Sequence, residues 1–253
     1  MKNKILILSM TLFSFFLVNC ASLFSQSKKE EAELRLRVGA SHLTSGNYPM
    51  ALSELLKAEE LDPENPEIHN NLALVYFVRE RFDLADKQIK IALQLDPKYT
   101  DAKNNLARIQ IELGNYNEAI KVSQAVIEDL TFSHPEKGWI NLGIAQFKLN
   151  KFTEAKSSFL KAVQIEKDNC VANSYYGRSL FELKDYDHST LSLDKAVGYC
   201  QNYLFDEPHY YSAMSYLQVG DKSRARARFE EIVKLYPNGK YVEKSRAMLQ
   251  IIR

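Results

Sequence analysis

Small and apolar residues recur along this chain with the period of an α-helix, inside segments that repeat about every 34 residues. Ala51, Leu55 and Ala58 stand at i, i+4 and i+7, which is one face of a helix. The same spacing returns in the next segment, from Ala85 to Ala92. Polar residues fill most of the positions between them. The pattern therefore predicts helices that each bury one narrow face.

The small residue that opens this pattern occurs six times, with gaps of 34, 34, 36, 34 and 36 residues. The six positions are Ala51, Ala85, Ala119, Ala155, Ser189 and Ala225. Twelve positions before each of them stands a glycine or an alanine, which would let a paired helix approach closely. These partners are Gly39, Ala73, Ala107, Gly143, Gly177 and Ala213. The repetition predicts six helical hairpins, each of which buries its apolar face against its neighbours.

Helix ends and the length of the period indicate the kind of repeat. Asn65 followed by Pro66 is a helix-start signal, and Asp62 before Pro63 is a stop, because the residue before proline avoids helical geometry. A period of 34, with an aromatic residue three positions before most of the small residues, resembles the tetratricopeptide repeat. The resemblance implies an all-α, right-handed solenoid of six repeats over 32–237, with a C-terminal capping helix in 240–253. The repeats are expected at about 32–65, 66–99, 100–135, 136–169, 170–205 and 206–239.

The first twenty residues differ in composition from the repeats. Lys2 and Lys4 precede an apolar stretch, residues 5–18, which is short for a membrane-spanning helix and typical of a signal peptide. The sequence Leu17-Val18-Asn19-Cys20 resembles a bacterial lipobox, with an asparagine where a small residue is usual. We therefore expect a signal peptide over 1–19, lipidation of Cys20 and a short linker over 20–31. The alternatives are an ordinary cleaved signal peptide and an uncleaved anchor, in which Cys20 has no special role.

Charge and motif content narrow the possible functions. The net charge is +1 in 253 residues, which gives no reason to expect nucleic-acid binding. The five histidines are scattered, and the sequence contains no metal-binding, phosphate-binding or nucleophile motif. We expect a protein that is not an enzyme, with no metal, no cofactor and no small-molecule substrate.

Two further cysteines, Cys170 and Cys200, fall in the fifth repeat. Cys170 begins the first helix of that repeat, and Cys200 lies just beyond the second helix. The helices of a hairpin are antiparallel, so these two ends lie side by side, and disulfides persist in exported proteins. We predict a disulfide between them; the alternative is two separate, partly buried thiols.

The first helix of each repeat is expected to line a concave groove that binds a protein segment. Repeat register assigns to it Leu36, Ala40, Leu43, Asn70, Leu74, Phe77, Asn104, Arg108, Ile111, Ile140, Ile144 and Phe147. The later repeats add Ser174, Arg178, Phe181, Tyr210, Met214 and Leu217. Apolar side chains with asparagines between them suit an amphipathic peptide whose backbone the amides would hold. The alternative is that several of these residues are core shared between adjacent hairpins.

The order of lipobox, short linker and six repeats resembles one family, the pilotin group of type IV pilus biogenesis lipoproteins. Three segments of this chain are similar to segments of that family: Arg35–Gly39, the long connection Asp129–Gly138 and the closing sequence Lys234–Pro237. The resemblance implies a lipid-anchored protein on the periplasmic face of the bacterial outer membrane. Such a protein would bind secretin subunits and promote their localisation and multimerisation. Two alternatives are a lipoprotein adaptor for cell-wall hydrolases and a component of outer-membrane protein assembly.

Overall fold

The computed structural model describes residues 26–201 and 205–252, and within these ranges the regular structure is helical. Unit 1, up to Asn105, and unit 2, from Leu106 onward, are the two compact parts of the chain. The first helices are α1 (26–44), α2 (Tyr48–Leu61), α3 (Pro66–Val78), α4 (Phe82–Leu95) and α5 (Thr100–Glu112). They are followed by α6 (Tyr116–Glu128), α7 (Pro135–Lys148), α8 (Phe152–Ile165), α9 (Cys170–Glu182), α10 (Tyr186–Tyr199), α11 (Glu207–Gln218), α12 (Lys222–Leu235) and α13 (Val242–Ile251). The all-α prediction is confirmed, and each predicted repeat holds one pair of helices. The signal peptide predicted over 1–19 and Cys20 lie outside the described residues.

Helix α1 extends further toward the N-terminus than the sequence indicated. Residues 26–31, which were predicted to belong to the linker, are helical, so the linker prediction is wrong over that range. Side chains one turn apart support these residues: Gln26 donates to Glu30 at 3.0 Å, and Arg35 pairs with Glu31 at 2.7 Å. Ala32, at the predicted start of the first repeat, is already fully buried.

The two helices of a hairpin touch where the glycines stand. A Cβ atom added to Gly143 in α7 would lie 2.7 Å from Cε1 of Phe159 in α8, closer than side-chain carbons ever approach. The corresponding distance from Gly177 to Cγ of Leu193 is 2.6 Å. Phe159 and Leu193 are both fully buried. The absent Cβ therefore makes room for the large side chain of the facing helix.

The turn inside each hairpin has the same backbone geometry in all six repeats. One residue per turn is left-handed: Gly46, Glu80, Gly114, Asn150, Lys184 and Gly220, with φ between 56° and 82°. The next N–H donates to a carbonyl five residues back, as Arg81 does to Tyr76 at 2.9 Å. This is the Schellman arrangement, which satisfies carbonyls that the end of a helix leaves unpaired.

In unit 2 the first helices of successive repeats, α7, α9 and α11, contact one another, and each also packs on its own hairpin partner. The C-terminal helix α13 packs on α12, where Val242 and Ile252 join the buried cluster that contains Phe229 and Ile232. The region predicted to cap the last repeat thus covers the apolar face of α12.

Cys170 and Cys200 form a disulfide, with their Cα atoms 5.0 Å apart. It joins the first residue of α9 to the residue that follows α10, where the antiparallel arrangement of a hairpin brings the two ends together. Both cysteines are buried. A link across 30 residues stabilises the folded state by about 3–4 kcal/mol if it acts by restricting the unfolded chain.

The close contact at Gly143 predicts that Gly143→Ala destabilises the protein although alanine favours helix. The helix-propensity gain is about 1 kcal/mol, whereas overpacking a filled core costs about 1–3 kcal/mol. We expect a net decrease in the free energy of unfolding, measured by urea titration with circular dichroism. Gly198 in α10 is the control, because no atom lies within 4 Å of its added Cβ. Gly198→Ala should be neutral or stabilising, and an equal response of both variants would contradict the packing argument.

Candidate functional site

The structure places the predicted groove residues in three environments. Buried side chains are Leu36, Asn70, Asn104, Ile111, Phe147 and Ser174, so the prediction that these line an open groove is wrong. Half-buried side chains are Ala40, Leu43, Leu74, Phe77, Ile140, Ile144, Arg178, Phe181, Tyr210, Met214 and Leu217. Arg108 is exposed. The first group is core shared between neighbouring hairpins, the alternative that the register left open.

In unit 1 the predicted groove residues that are buried belong to the core or form hydrogen bonds within the protein. Leu36 lies in the cluster that holds Leu55 and Ile68. The Oδ1 atom of Asn70 accepts from Nδ2 of Asn105 at 2.9 Å, so this amide bonds to a neighbouring helix. Buried amides paired in this way stabilise the packing of the helices and are not offered to the backbone of a bound peptide.

Leu74 and Phe77 on α3 remain accessible in unit 1. Both are half-buried, and the Phe77 ring rests edge-on against Phe82 of α4, with ring centroids 5.5 Å apart. Ala40 and Leu43 of α1 are half-buried as well, and Leu43 packs against the same core cluster as Leu36. Unit 1 therefore presents small and apolar side chains from its first helices.

In unit 2 aromatic rings of successive repeats touch one another. We call these rings, together with the Arg178 side chain that lies between them, the aromatic ladder; the rings are those of Phe147, Tyr175, Phe181, Tyr211 and Tyr241. The ring centroids are 5.5 Å apart for Phe147 and Tyr175, 5.4 Å for Phe181 and Tyr211, and 5.9 Å for Tyr211 and Tyr241. These distances are those of favourable edge-to-face pairs. The ladder joins α7, α9, α11 and the residue before α13.

Arg178 stands at the centre of the ladder. Its guanidinium carbon lies 4.6 Å from the ring centroid of Phe147 and 4.6 Å from that of Tyr211, and the group forms an ion pair with Glu207. Burial by itself would lower the pKa of Arg178, but the Glu207 carboxylate reverses this and the pKa is raised. Burial also raises the pKa of Tyr175 to about 12. The ladder thus has one permanent cation and neutral tyrosines.

Repeat register predicted that Arg178 and Phe181 lie on this face, whereas Tyr175, Tyr211 and Tyr241 were not among the predicted residues. A signal for two of them exists, because Tyr175 and Tyr211 occupy the same position in successive repeats, 36 residues apart. Tyr241 follows the last repeat and has no counterpart in the register. Its contact with Tyr211 depends on how the chain turns into α13.

Two buried histidines, which could have been catalytic or metal-binding residues, instead form hydrogen bonds within the fold. His69 is buried, with its ring nitrogens 2.6 Å from Oε1 of Gln88 and 2.7 Å from the Pro63 carbonyl. His209 is held in the same manner by Glu231 and Tyr236. Across residues 26–201 and 205–252, no three His, Cys, Asp or Glu side chains are grouped to hold a metal ion. No helix in that part of the chain is long and apolar enough to cross a membrane.

The ion pair in the ladder predicts a strong coupling between its partners. Arg178→Met keeps a long apolar side chain but leaves the Glu207 carboxylate, 9% exposed, without its cation. We expect a loss of about 3 kcal/mol in unfolding free energy, since breaking a buried pair from one side costs about 3–5 kcal/mol. The double variant Arg178→Met with Glu207→Gln should lose less than the sum of the single variants.

A surface pair provides the control for this cycle. Arg81 and Asp83 lie 3.7 Å apart with side chains 60% and 69% exposed. Arg81→Met should change the unfolding free energy by less than about 1 kcal/mol. Additive effects of Arg178→Met and Glu207→Gln would show that the pair is not coupled.

Protein-family models match four parts of the chain. A TPR repeat model matches residues 39–78, and tetratricopeptide repeat models match 87–136, 136–169 and 209–239. Together these ranges cover more than half of the sequence. The matches to 136–169 and 209–239 coincide closely with the hairpins α7–α8 and α11–α12, and the resemblance to this repeat family is confirmed.

Among curated proteins, the type IV pilus assembly protein PilF of Pseudomonas aeruginosa is 26% identical over 143 residues. The match covers 56% of this chain and 57% of that protein, so the chain spans little more than half of its relative. The solved structure of Pseudomonas aeruginosa PilF superposes with a TM-score of 0.75 at 21% identity, over 88% of this chain and 99% of that one. PilW, a type IV pilus biogenesis factor, superposes with a TM-score of 0.77 at 15% identity, over 84% and 97%. At these identities the structural comparisons show a common fold.

Proposed function

Because the chain belongs to the tetratricopeptide repeat proteins and is related to the type IV pilus assembly protein PilF, we propose that it is a lipid-anchored assembly factor for type IV pili. In this proposal it is held on the periplasmic face of the outer membrane through Cys20. It binds secretin subunits and promotes their localisation and their assembly into the ring through which the pilus passes. The action is binding without chemistry.

The observation that carries the proposal is the accessible apolar surface on the first helices. Leu74 and Phe77 are half-buried, while the amide of Asn70 on the same helix is already bonded to Asn105. A surface whose polar groups are satisfied internally offers a partner mainly apolar contact. An amphipathic secretin segment would dock there with its apolar face, the helix-in-groove mode of recognition.

The anchor would set where this binding takes place. If Cys20 is the lipidated N-terminus, residues 20–25 precede the first described helical residue and span at most about 20 Å. Three acyl chains hold a protein far more firmly than one, whose attachment is marginal. The apolar surface is thereby kept at a high effective concentration beside the bilayer.

Substitution of Cys20 tests the anchor. Cys20→Ser should abolish lipid attachment and leave an unprocessed precursor or a released protein, because none of the described helices can cross a bilayer. The measurement is metabolic labelling with a radioactive fatty acid, together with membrane fractionation after a high-salt wash. Cys170→Ser with Cys200→Ser is the control, since it removes the other two thiols and should leave labelling unchanged. Equal labelling of the Cys20→Ser protein would reject the lipoprotein assignment.

The double variant Leu74→Glu with Phe77→Glu tests the binding surface. Two carboxylates on this surface would have to be desolvated by an apolar partner, so secretin multimers and pilus function should be strongly reduced. The measurement is the amount of heat-resistant secretin multimer in membranes of a strain that carries the variant.

Two controls keep this test interpretable. Leu56→Glu places a carboxylate at a side chain of α2 that is 36% exposed, and it should leave multimers at the wild-type level. Leu74→Glu alone avoids the loss of the contact between the Phe77 and Phe82 rings. Normal multimers in the double variant, at normal abundance of the protein, would reject the proposed surface.

A further inference from the structure

Helix α1 exposes side chains at positions whose counterparts in the second repeat are completely buried. Leu34 and Val38 of α1 are 56% and 38% exposed. The residues 34 positions later, Ile68 and Leu72 of α3, are both 0% exposed. Ser41 is exposed as well, whereas its counterpart at position 75 is buried. The same helix face is thus core in the second repeat and surface in the first.

The structure shows what covers this face in the second repeat. Ile68 and Leu72 lie in one cluster with Ala51, Leu55 and Ala58 of α2, the helix that precedes α3, and with Ala32 and Leu36 of α1. Leu55 also faces Gly39 of α1, where an added Cβ would lie 2.7 Å from Cγ of Leu55. These α2 residues stand at i, i+4 and i+7, a small–leucine–small stripe that allows close approach. The stripe packs on α1 inside its own hairpin and lies in the same cluster as Ile68 and Leu72 of α3. A helix that carries it is therefore the model for one that would cover the exposed face of α1.

Charge adds a second condition. Arg37 lies between Leu34 and Val38 along the chain, and its side chain is 69% exposed, with Glu33 3.7 Å away. Arg35 is already engaged with Glu31 and Glu54. A covering helix with acidic residues beside its stripe would meet Arg37. A second copy of α1 would instead bring a second Arg37 to the same place.

The chain upstream of α1 is too short to supply such a helix if Cys20 is lipidated, a step that rests on the proposed function. Residues 20–25 would then be all that precedes the first described helical residue, against the 14 residues of α2. The covering helix would have to come from another molecule.

We propose that the exposed face of α1, made of Leu34, Arg37 and Val38, is a docking site for an amphipathic helix of a partner protein. That helix carries small residues at i and i+7, leucine at i+4 and acidic residues beside them. It takes the place on α1 that α2 takes on α3. This site is distinct from the apolar surface at Leu74 and Phe77.

A peptide with the sequence of residues 47–63 is the probe for this site. It contains Ala51, Leu55 and Ala58, and it carries more acidic than basic residues. With blocked termini and a fluorescent label, it is titrated with the purified full chain, and anisotropy is measured. We expect saturable binding that weakens as salt is added, because Arg37 contributes.

Variants of the chain locate the peptide. Leu34→Glu with Val38→Glu should weaken binding at least about tenfold, the loss typical of removing a central apolar contact. Arg37→Glu should weaken it less and remove most of the salt dependence. Leu191→Glu, at a position 63% exposed on α10, is the matched control and should bind as the wild type does. A peptide carrying Leu55→Glu should not bind.

Three outcomes would overturn the proposal. One is the absence of saturable binding by the wild-type chain. Another is equal binding by the Leu34→Glu, Val38→Glu variant, which would mean that the peptide replaces α2 within its own hairpin. The third is a concentration-dependent dimer, seen by sedimentation velocity and lost in Leu34→Glu, which would assign the face to a second copy. Leu74→Glu with Phe77→Glu should bind the peptide normally, so failure here is separable from failure of the proposed function.

Discussion

The contact between a glycine or alanine of one helix and a large side chain of its partner is the constraint on which the rest of this structure depends. At Gly143 the missing Cβ admits the ring of Phe159, and that ring stacks on Tyr175 of the next repeat, with centroids 5.2 Å apart and planes 23° from parallel. Tyr175 is in turn a member of the aromatic ladder and contacts Phe147. The packing inside one hairpin therefore positions a ring on the surface of the next.

The same dependence explains how far the sequence could predict the fold. The i, i+4, i+7 pattern and the recurring glycines and alanines are local, and from them the six hairpins follow with bounds within a few residues. Cys170 and Cys200 could be paired because an antiparallel hairpin brings its open ends together whatever the other repeats do. The start of α1 was predicted too late, because the polar residues at 26–31 were interpreted as a linker, whereas a hydrogen bond from Gln26 to Glu30 and an ion pair between Glu31 and Arg35 support a helix there.

Burial on the first helices was harder to predict, because it depends on side chains of other repeats. Asn70 accepts a hydrogen bond from Asn105, which lies 35 residues away, and Arg178 pairs with Glu207, which lies 29 residues away. Register indicates the direction in which a side chain points, but whether it stays accessible depends on what the neighbouring helix places beside it. Leu36 and Leu74 were thus both predicted to line the groove, but their different neighbours leave Leu36 buried and Leu74 half-buried.

The disulfide limits how far the chain of the fifth repeat can be extended. Helices α9 and α10 are already joined by their turn, so the bond at the open end makes this hairpin a closed loop of chain. In arrays where each repeat contacts only its neighbours, unfolding spreads as a front from one repeat to the next. When a hairpin without such a bond unfolds, its chain can extend over its full length. When the fifth repeat unfolds, the disulfide still joins its two ends. A force applied to the chain therefore cannot extend the residues between Cys170 and Cys200.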